Sequence, residues 1–222
     1  MLCCRTVLLI DQINRTVFDL ENAKSIRFFY FITECRLGPD GIRIKTKRRI
    51  LMNKCVIREV KLEDAERLAE IYSYYVQNTA ISFEYDAPSA SEFENRIRNT
   101  TAKYPYLVCE KNGYVIGYSY ASAYSVRSAY AWTATSSIYV DKDYRRQGIG
   151  SMLYNELEKR LREQGIVNLL AGAAYCEKED EYLTHDSYRF HTTRGYEKVA
   201  HLKTIGKKFD RWYDLIWMQK KL

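Results

Sequence analysis

Residues 139–150 read YVDKDYRRQGIG, and residues 151–165 behind them read SMLYNELEKRLREQG. The β-branched and apolar run at 137–140 predicts a strand, and residues 141–144 a turn. Met152, Leu153, Leu157 and Leu161 then mark one apolar face of a helix that Gly165 ends. A strand, a glycine-bearing turn and a helix start leave successive backbone N–H groups unpaired at the positive end of a helix dipole, where an anion is received. Gly148 and Gly150 lack the Cβ atoms that would hold a diphosphate away from the backbone, and Arg145 and Arg146 add positive charge beside it. On spacing alone an ordinary helix N-terminus with two tolerated glycines competes with this reading. Two other phosphate patterns do not fit, because neither a Gly-Lys-Ser/Thr ending nor a third glycine is present.

The 222 residues are 46% hydrophobic, and the longest apolar patch is FFYFI at 28–32, far short of a membrane span. The chain is expected to be soluble, with one main core, no membrane association and a cytoplasmic location. Residues 1–10 have neither a sustained apolar stretch nor a small-residue cleavage site, so they do not read as a signal peptide. The six cysteines, Cys3, Cys4, Cys35, Cys55, Cys109 and Cys176, show neither paired metal-ligand spacing nor the density of a disulfide framework. Reduced thiols and no metal are expected. The net charge of +7 is unevenly spread: residues 1–51 hold ten Lys/Arg against five Asp/Glu, and the rest of the chain 25 against 23. A basic groove for nucleic acid is therefore not expected.

Residues 1–51 have no clear helical or strand period. Arg48-Arg49 ahead of Met52 allow codons reading AGGAGG, the form of a bacterial ribosome-binding site. The expectation is that residues 1–51 are leader sequence translated from a start placed too early, with a genuine basic, disordered extension as the alternative. Residues 52–222 then form the folded domain. It opens with a strand at 55–58 and a helix carrying Leu62, Ala65, Leu68, Ala69, Ile71 and Tyr72 on one face. Residues 79–91 read as loop, and Ser89 or Ser91 caps a second helix reaching about residue 103. A hairpin turns at Lys111-Asn112-Gly113, a strand covers 132–140, and another covers 168–174. A short helix at 187–194, capped by Asp186-Ser187, and strands at 196–202 and 212–220 complete the series. Hairpins mixed with helices predict an α/β fold with a mixed sheet rather than a doubly wound one.

Arg-x-x-Gly-x-Gly directly after a strand resembles the acetyl-coenzyme A loop of the GNAT superfamily, which reads Gln/Arg-x-x-Gly-x-Gly/Ala. ISFEY at 81–85, RSAYAWTATSSIYV at 127–140, NLLAG at 168–172, RFHTTRGYEKVAHLKTIGKKF at 189–209 and RWYDLIWMQ at 211–219 resemble the phosphinothricin and methionine sulfoximine acetyltransferases within it. The resemblance spans about residues 55–220. It implies the GNAT fold, a central, mostly antiparallel, splayed sheet flanked by helices. It also implies acetyl-CoA as co-substrate and an N-acetyltransferase acting by direct attack of a small-molecule amine, the amino group of a small amino acid or amino-acid-like compound. The backbone at Ile138, Tyr139 and Val140 would hold pantetheine and polarise the thioester carbonyl. The diphosphate would fall to Arg145, Arg146, Gln147, Gly148, Ile149, Gly150 and Ser151. A homodimer is left open. A polyamine, an aminoglycoside or a protein N-terminus as acceptor is the alternative within the fold, and a catalytically weak acetyl-CoA-binding module the alternative outside catalysis.

The resemblance also supplies site residues. The family places a glutamate in Trp-Thr-x-Glu, where this chain has Trp132-Thr133-Ala134-Thr135. Thr135 is no base at neutral pH, but its hydroxyl can hold a water that relays a proton. His191 matches a family histidine and is a candidate to accept a proton, with a packing role as its alternative. It ranks ahead of Glu84. Arg127 matches the arginine that faces the acceptor's acidic group in the relatives, and its guanidinium suits an anionic oxygen. Phe83 and Tyr130 are candidate pocket walls, while Tyr154 reads as packing. Residues 175–186 form an acidic insertion expected to stand near the mouth of the site.

Overall fold

The computed structural model describes Glu34–Gly38, Gly41–Lys45 and residues 55–222. The chain divides into two units, Met1–Met52 and Asn53–Leu222. In the first, β1 (Glu34–Gly38) and β2 (Gly41–Lys45) pair antiparallel from Glu34 opposite Lys45 to Gly38 opposite Gly41, strands that the aperiodic sequence did not announce. Beyond this hairpin, the expectation of a translated leader lies outside the described residues.

In the second unit the elements follow as β3 (Cys55–Glu59), α1 (Ala65–Asn78), α2 (Ala90–Thr101), β4 (Tyr106–Lys111), β5 (Tyr114–Ala123), β6 (Thr133–Val140) and α3 (Ile149–Glu163). They end with β7 (Asn168–Tyr175), α4 (Asp186–Thr193), β8 (Glu197–Lys208) and β9 (Arg211–Lys221). Seven strands form one mixed sheet in the order β3-β4-β5-β6-β7-β9-β8. Every pair is antiparallel except β6 with β7.

Alternation along the strands divides the core between the two faces. Tyr106 and Val108 of β4 join α1 and α2 through Leu68, Tyr72, Phe93 and Ile97. Leu107 and Cys109 turn to the other face, where Leu153, Leu157 and Leu161 of α3 cover them. Burial on both faces explains why β4 reads as an unbroken apolar run. Ser89 caps α2, its hydroxyl accepting from the Glu92 N–H at 3.2 Å. Asn112 and Gly113, with φ of 56° and 80°, make the tight turn expected between β4 and β5.

Three of these elements differ from the sequence reading. Strands β8 and β9 run longer than 196–202 and 212–220, because the register breaks between Leu202 and Gly206 and hides the alternation. Thr204 there adopts φ 49°, and its N–H donates to Asp214 at 2.7 Å. At α4, His185 is the residue before the helix and makes no side-chain cap; Asp186, read as a cap, directs its carboxylate to arginines instead.

Strands β6 and β7 pair only from Thr133 opposite Asn168 to Thr135 opposite Leu170. Beyond that point β6 continues to Val140 paired with β5 alone, and β7 continues to Tyr175 paired with β9 alone. The sheet therefore splays, leaving one edge of residues 136–140 free of strand partners.

Candidate functional site

The splayed edge leads straight into the turn after β6. The Asp141 N–H donates to the Ile116 carbonyl at 2.9 Å, and the Tyr75 hydroxyl donates to the Val140 carbonyl, which together hold the end of β6. The turn itself is left-handed at Arg146 (φ 59°) and Gly148 (φ 81°), and Gly148 is the residue before α3. The Met152 N–H donates to the Gly148 carbonyl at 3.1 Å as the first helical hydrogen bond. Ile149, Gly150 and Ser151 thus occupy the first turn, where N–H groups have no partner four residues back. Among the described residues none accepts from the amides of Arg146, Gln147 or Gly148. Consecutive outward N–H groups at a helix start make an anion-binding concavity.

The two glycines serve different ends. A Cβ at Gly148 would meet open space, so its requirement is the positive φ. A Cβ at Gly150 would come within 3.1 Å of the Phe190 ring and 3.4 Å of Ile138, so this glycine lets α4 pack closely rather than only admitting a diphosphate. Left-handed backbone costs a Cβ-bearing residue roughly 1–2 kcal/mol. We therefore expect Gly148→Val to weaken CoA binding about tenfold in a calorimetric titration, with little change in Tm, because the loop can relax outward when no ligand holds it.

Arg145 and Arg146 converge on one carboxylate: Asp186 Oδ2 accepts from them at 3.0 and 3.2 Å, while Oδ1 accepts from Arg189 at 3.4 Å. Burial raises the Asp186 pKa, but the hydrogen bonds from Arg146 and Arg189 outweigh it and leave the group below the usual carboxylate range. Asp186 thus ties the start of α4 to the turn after β6.

Along β6, Thr135, Ser137 and Tyr139 face α1 and α2, whereas Ala134, Ser136 and Ile138 face α3. The two catalytic candidates consequently lie on opposite faces. Thr135 Oγ1 is 2.7 Å from Ser122 Oγ across the β5–β6 pair. His191 is 3% exposed, and its Nδ1–H donates to the Ser187 carbonyl at 2.8 Å. Burial holds its pKa below the ordinary histidine value, so the ring is neutral and Nε2 accepts from the Tyr154 hydroxyl at 3.0 Å. The Tyr154 oxygen in turn lies 3.1 Å from Ser136 Oγ. A line of hydroxyls therefore joins His191 to β6 where it parts from β7. Tyr154, read from sequence as packing, belongs to this line; the signal for it was a serine at 136, polar yet buried, at an inward position of the strand.

The remaining candidates are dispersed. Arg127 is exposed and its guanidinium has no partner among the described residues. Tyr130 is 41% exposed in the same loop, edge-on to Tyr124 at 5.3 Å. Phe83 lies over Gly206, where a Cβ would come within 2.5 Å of its ring, and packs in a small cluster with Ala80, Leu183 and Tyr213. Leu183 comes from the acidic insertion, and the Tyr182 carbonyl accepts from the Ala80 N–H at 2.9 Å. The insertion is thereby fastened to the loop after α1. Asp180 organises it by accepting from the N–H groups of Tyr182 and Leu183 and from the Tyr213 hydroxyl.

A family profile described as "Acetyltransferase (GNAT) domain" matches residues 57–217. The phosphinothricin N-acetyltransferase of Alcaligenes faecalis is 34% identical over 169 residues, covering 76% of this chain and 83% of the relative. The L-methionine sulfoximine/L-methionine sulfone acetyltransferase of Salmonella typhimurium is 29% identical over 170 residues, covering 75% of this chain and 94% of the relative. The crystal structure of a GNAT superfamily phosphinothricin acetyltransferase from Sinorhizobium meliloti, in complex with AcCoA, aligns with a TM-score of 0.69 at 32% identity, covering 76% of this chain and 88% of that one. Among the described residues no helix is long and apolar enough to cross a membrane.

Proposed function

The chain belongs to the GNAT acetyltransferase family and is an N-acetyltransferase, and from that premise we propose that it moves the acetyl group of acetyl-CoA to the amino group of a small amino acid or amino-acid-like compound. The observation that carries the reading is the run of uncommitted amides at Arg146–Gln147–Gly148 beside the splayed edge of β6. The turn and the first turn of α3 would take the diphosphate, with Arg145 and Arg146 exchanging Asp186 for it. Residues 138–140 would hold the pantetheine arm.

In the transfer, the neutral amine nitrogen attacks the thioester carbonyl carbon. A C–N bond forms, the C–S bond breaks, the nitrogen gives up a proton and the sulfur leaves as thiolate to be protonated. Thr135 and Ser122 on one face would position a water to carry the amine proton away. On the other face, His191 acts as a positioning residue through Tyr154 and Ser136, beside the point where the sulfur would sit. Consumption of acetyl-CoA against a panel of amines at several pH values tests the reading. No acetylation of any amine, together with no CoA binding, would end it.

The neutral state of His191 has its own consequence. Because burial lowers its folded pKa beneath the unfolded value of about 6.5, its contribution to stability is full above that pH and declines as pH falls through it. We expect Tm to fall between pH 7 and pH 5 more steeply for the wild type than for His191→Gln, read by thermal melts across that range. The same variant should slow turnover while leaving CoA affinity nearly intact.

A further inference from the structure

On the α1/α2 face of the sheet lies a cavity of about 240 Å³ walled by aromatic rings. Tyr72 and Phe93 come from the helices, and Tyr106, Tyr118, Tyr120 and Tyr139 from β4, β5 and β6. Tyr106 and Tyr120 are stacked with centroids 4.8 Å apart, and Tyr118 lies nearly parallel to Tyr120, at 12°. Whole-ligand pockets usually measure roughly 300–1,000 Å³, so this space suits a side chain rather than a complete substrate.

Two of the wall residues carry hydroxyls that no other described group engages. Tyr106 is 3% exposed and Tyr118 1% as whole residues, but their hydroxyl oxygens, which have no hydrogen-bond partner among the described residues, are not fully buried. Burial also raises both phenols well above their usual pKa, so they stay neutral hydroxyls able to donate and to accept.

The rim offers no uncommitted charge. Arg96 donates to both oxygens of Glu84, at 3.1 and 3.2 Å, and to Glu92. A phosphinate or carboxylate side chain entering here would find a cation already neutralised by two carboxylates. Asn99 and Thr100, the other rim residues on α2, are uncharged.

Register places this cavity beside the reaction. Ser122 stands opposite Thr135, Tyr120 opposite Ser137, and Tyr118 opposite Tyr139, all on one face. The walls thus begin two residues along β6 from Thr135, the next pair on that face, where β6 leaves β7. Resting on the acetyltransferase reading above, we propose that the cavity receives the side chain of the acceptor, and that the acceptor is an amine or amino acid bearing a planar aromatic ring with a hydroxyl or ring N–H, phenolic or indolic in class. Ring faces and edges suit a planar ring, and the two unpaired hydroxyls meet its polar group.

The test uses the full chain, acetyl-CoA, and L-tyrosine, tyramine and L-tryptophan against L-phenylalanine, phosphinothricin and L-methionine sulfoximine. The phenolic and indolic amines should show the highest kcat/KM, with phenylalanine about tenfold lower for want of the hydrogen bond and phosphinothricin lower still. Tyr118→Phe should raise KM for tyrosine about tenfold with a smaller change in kcat and none in CoA affinity. Because that ring is buried, Asn99→Trp, which plugs the rim from the exposed side of α2, provides a second variant and should depress tyrosine acetylation with CoA binding intact. Preference for phosphinothricin or methionine sulfoximine, insensitive to Asn99→Trp, would overturn the inference and leave the acetyltransferase reading standing. CoA binding without acetylation of any aromatic amine would overturn it in the same way, whereas loss of the parent reading would show as absence of CoA binding.

Discussion

Replacing Glu158 with alanine should lower stability by about 3 kcal/mol, the scale for breaking a buried ion pair from one side. Glu158 on α3 is 4% exposed in its side chain and holds Lys220 of β9 at 2.7 Å and Arg194, which follows α4, at 3.2 Å. Without the carboxylate two cations remain against a low-dielectric wall. The Nε of Arg194 already has no hydrogen-bond partner among the described residues, and without Glu158 the guanidinium keeps only neutral acceptors, the Asn155 side chain at 2.8 Å and the Ser151 carbonyl at 3.5 Å. In a domain of this size the loss corresponds to roughly 10 °C in Tm, measurable by calorimetry. Glu156→Ala, two residues earlier on the same helix and paired with Arg160 nearer the surface, should cost less than about 1 kcal/mol. Equal effects of the two substitutions would mean that Glu158 does not anchor α4. Since α4 carries His191, turnover should fall with the anchor even at temperatures where the protein remains folded.

Introducing the absent base should act in the opposite direction on rate. Thr135→Glu places a carboxylate on the α1/α2 face of β6, at the last position paired with β7 and within reach of an amine approaching the splayed edge. A positioned general base contributes roughly 10²- to 10⁴-fold, and we expect a gain of about 10²-fold in kcat/KM for the best acceptor. The expected pH profile changes too, because a carboxylate accepts the proton over a range where a hydroxyl-held water depends on the amine's own ionisation. Thr135→Ala is the comparison. If the glutamate and alanine variants turned over alike, side chain 135 would have no part in proton transfer.

The turn between β6 and α3 was legible because everything it needs is local. A strand, a positive φ at Gly148 and the N-terminus of α3 all arise within a dozen consecutive residues, and helix electrostatics follow from the backbone itself. The mixed sheet was legible for a related reason, since hairpins announce antiparallel neighbours through turn chemistry. The splay between β6 and β7 was legible only through the resemblance, because nothing in either strand's composition says where the pairing stops.

The site's side chains belong to a different category. His191 and Tyr154 are 37 positions apart, and Tyr154 and Ser136 18 apart; only the packing of α3 and α4 on one face of the sheet joins them. Asp186 looked like a helix cap because capping is a local rule, but three arginines within reach outweighed it. The aromatic cavity needs the register of three strands and the seating of two helices before its tyrosines face one another. Sequence by itself determined the strand–turn–helix at residues 137–163 and the order of elements, since backbone conformation responds to near neighbours. Tertiary structure alone decided which hydroxyls, carboxylates and rings meet, because those contacts depend on burial between segments that are distant along the chain.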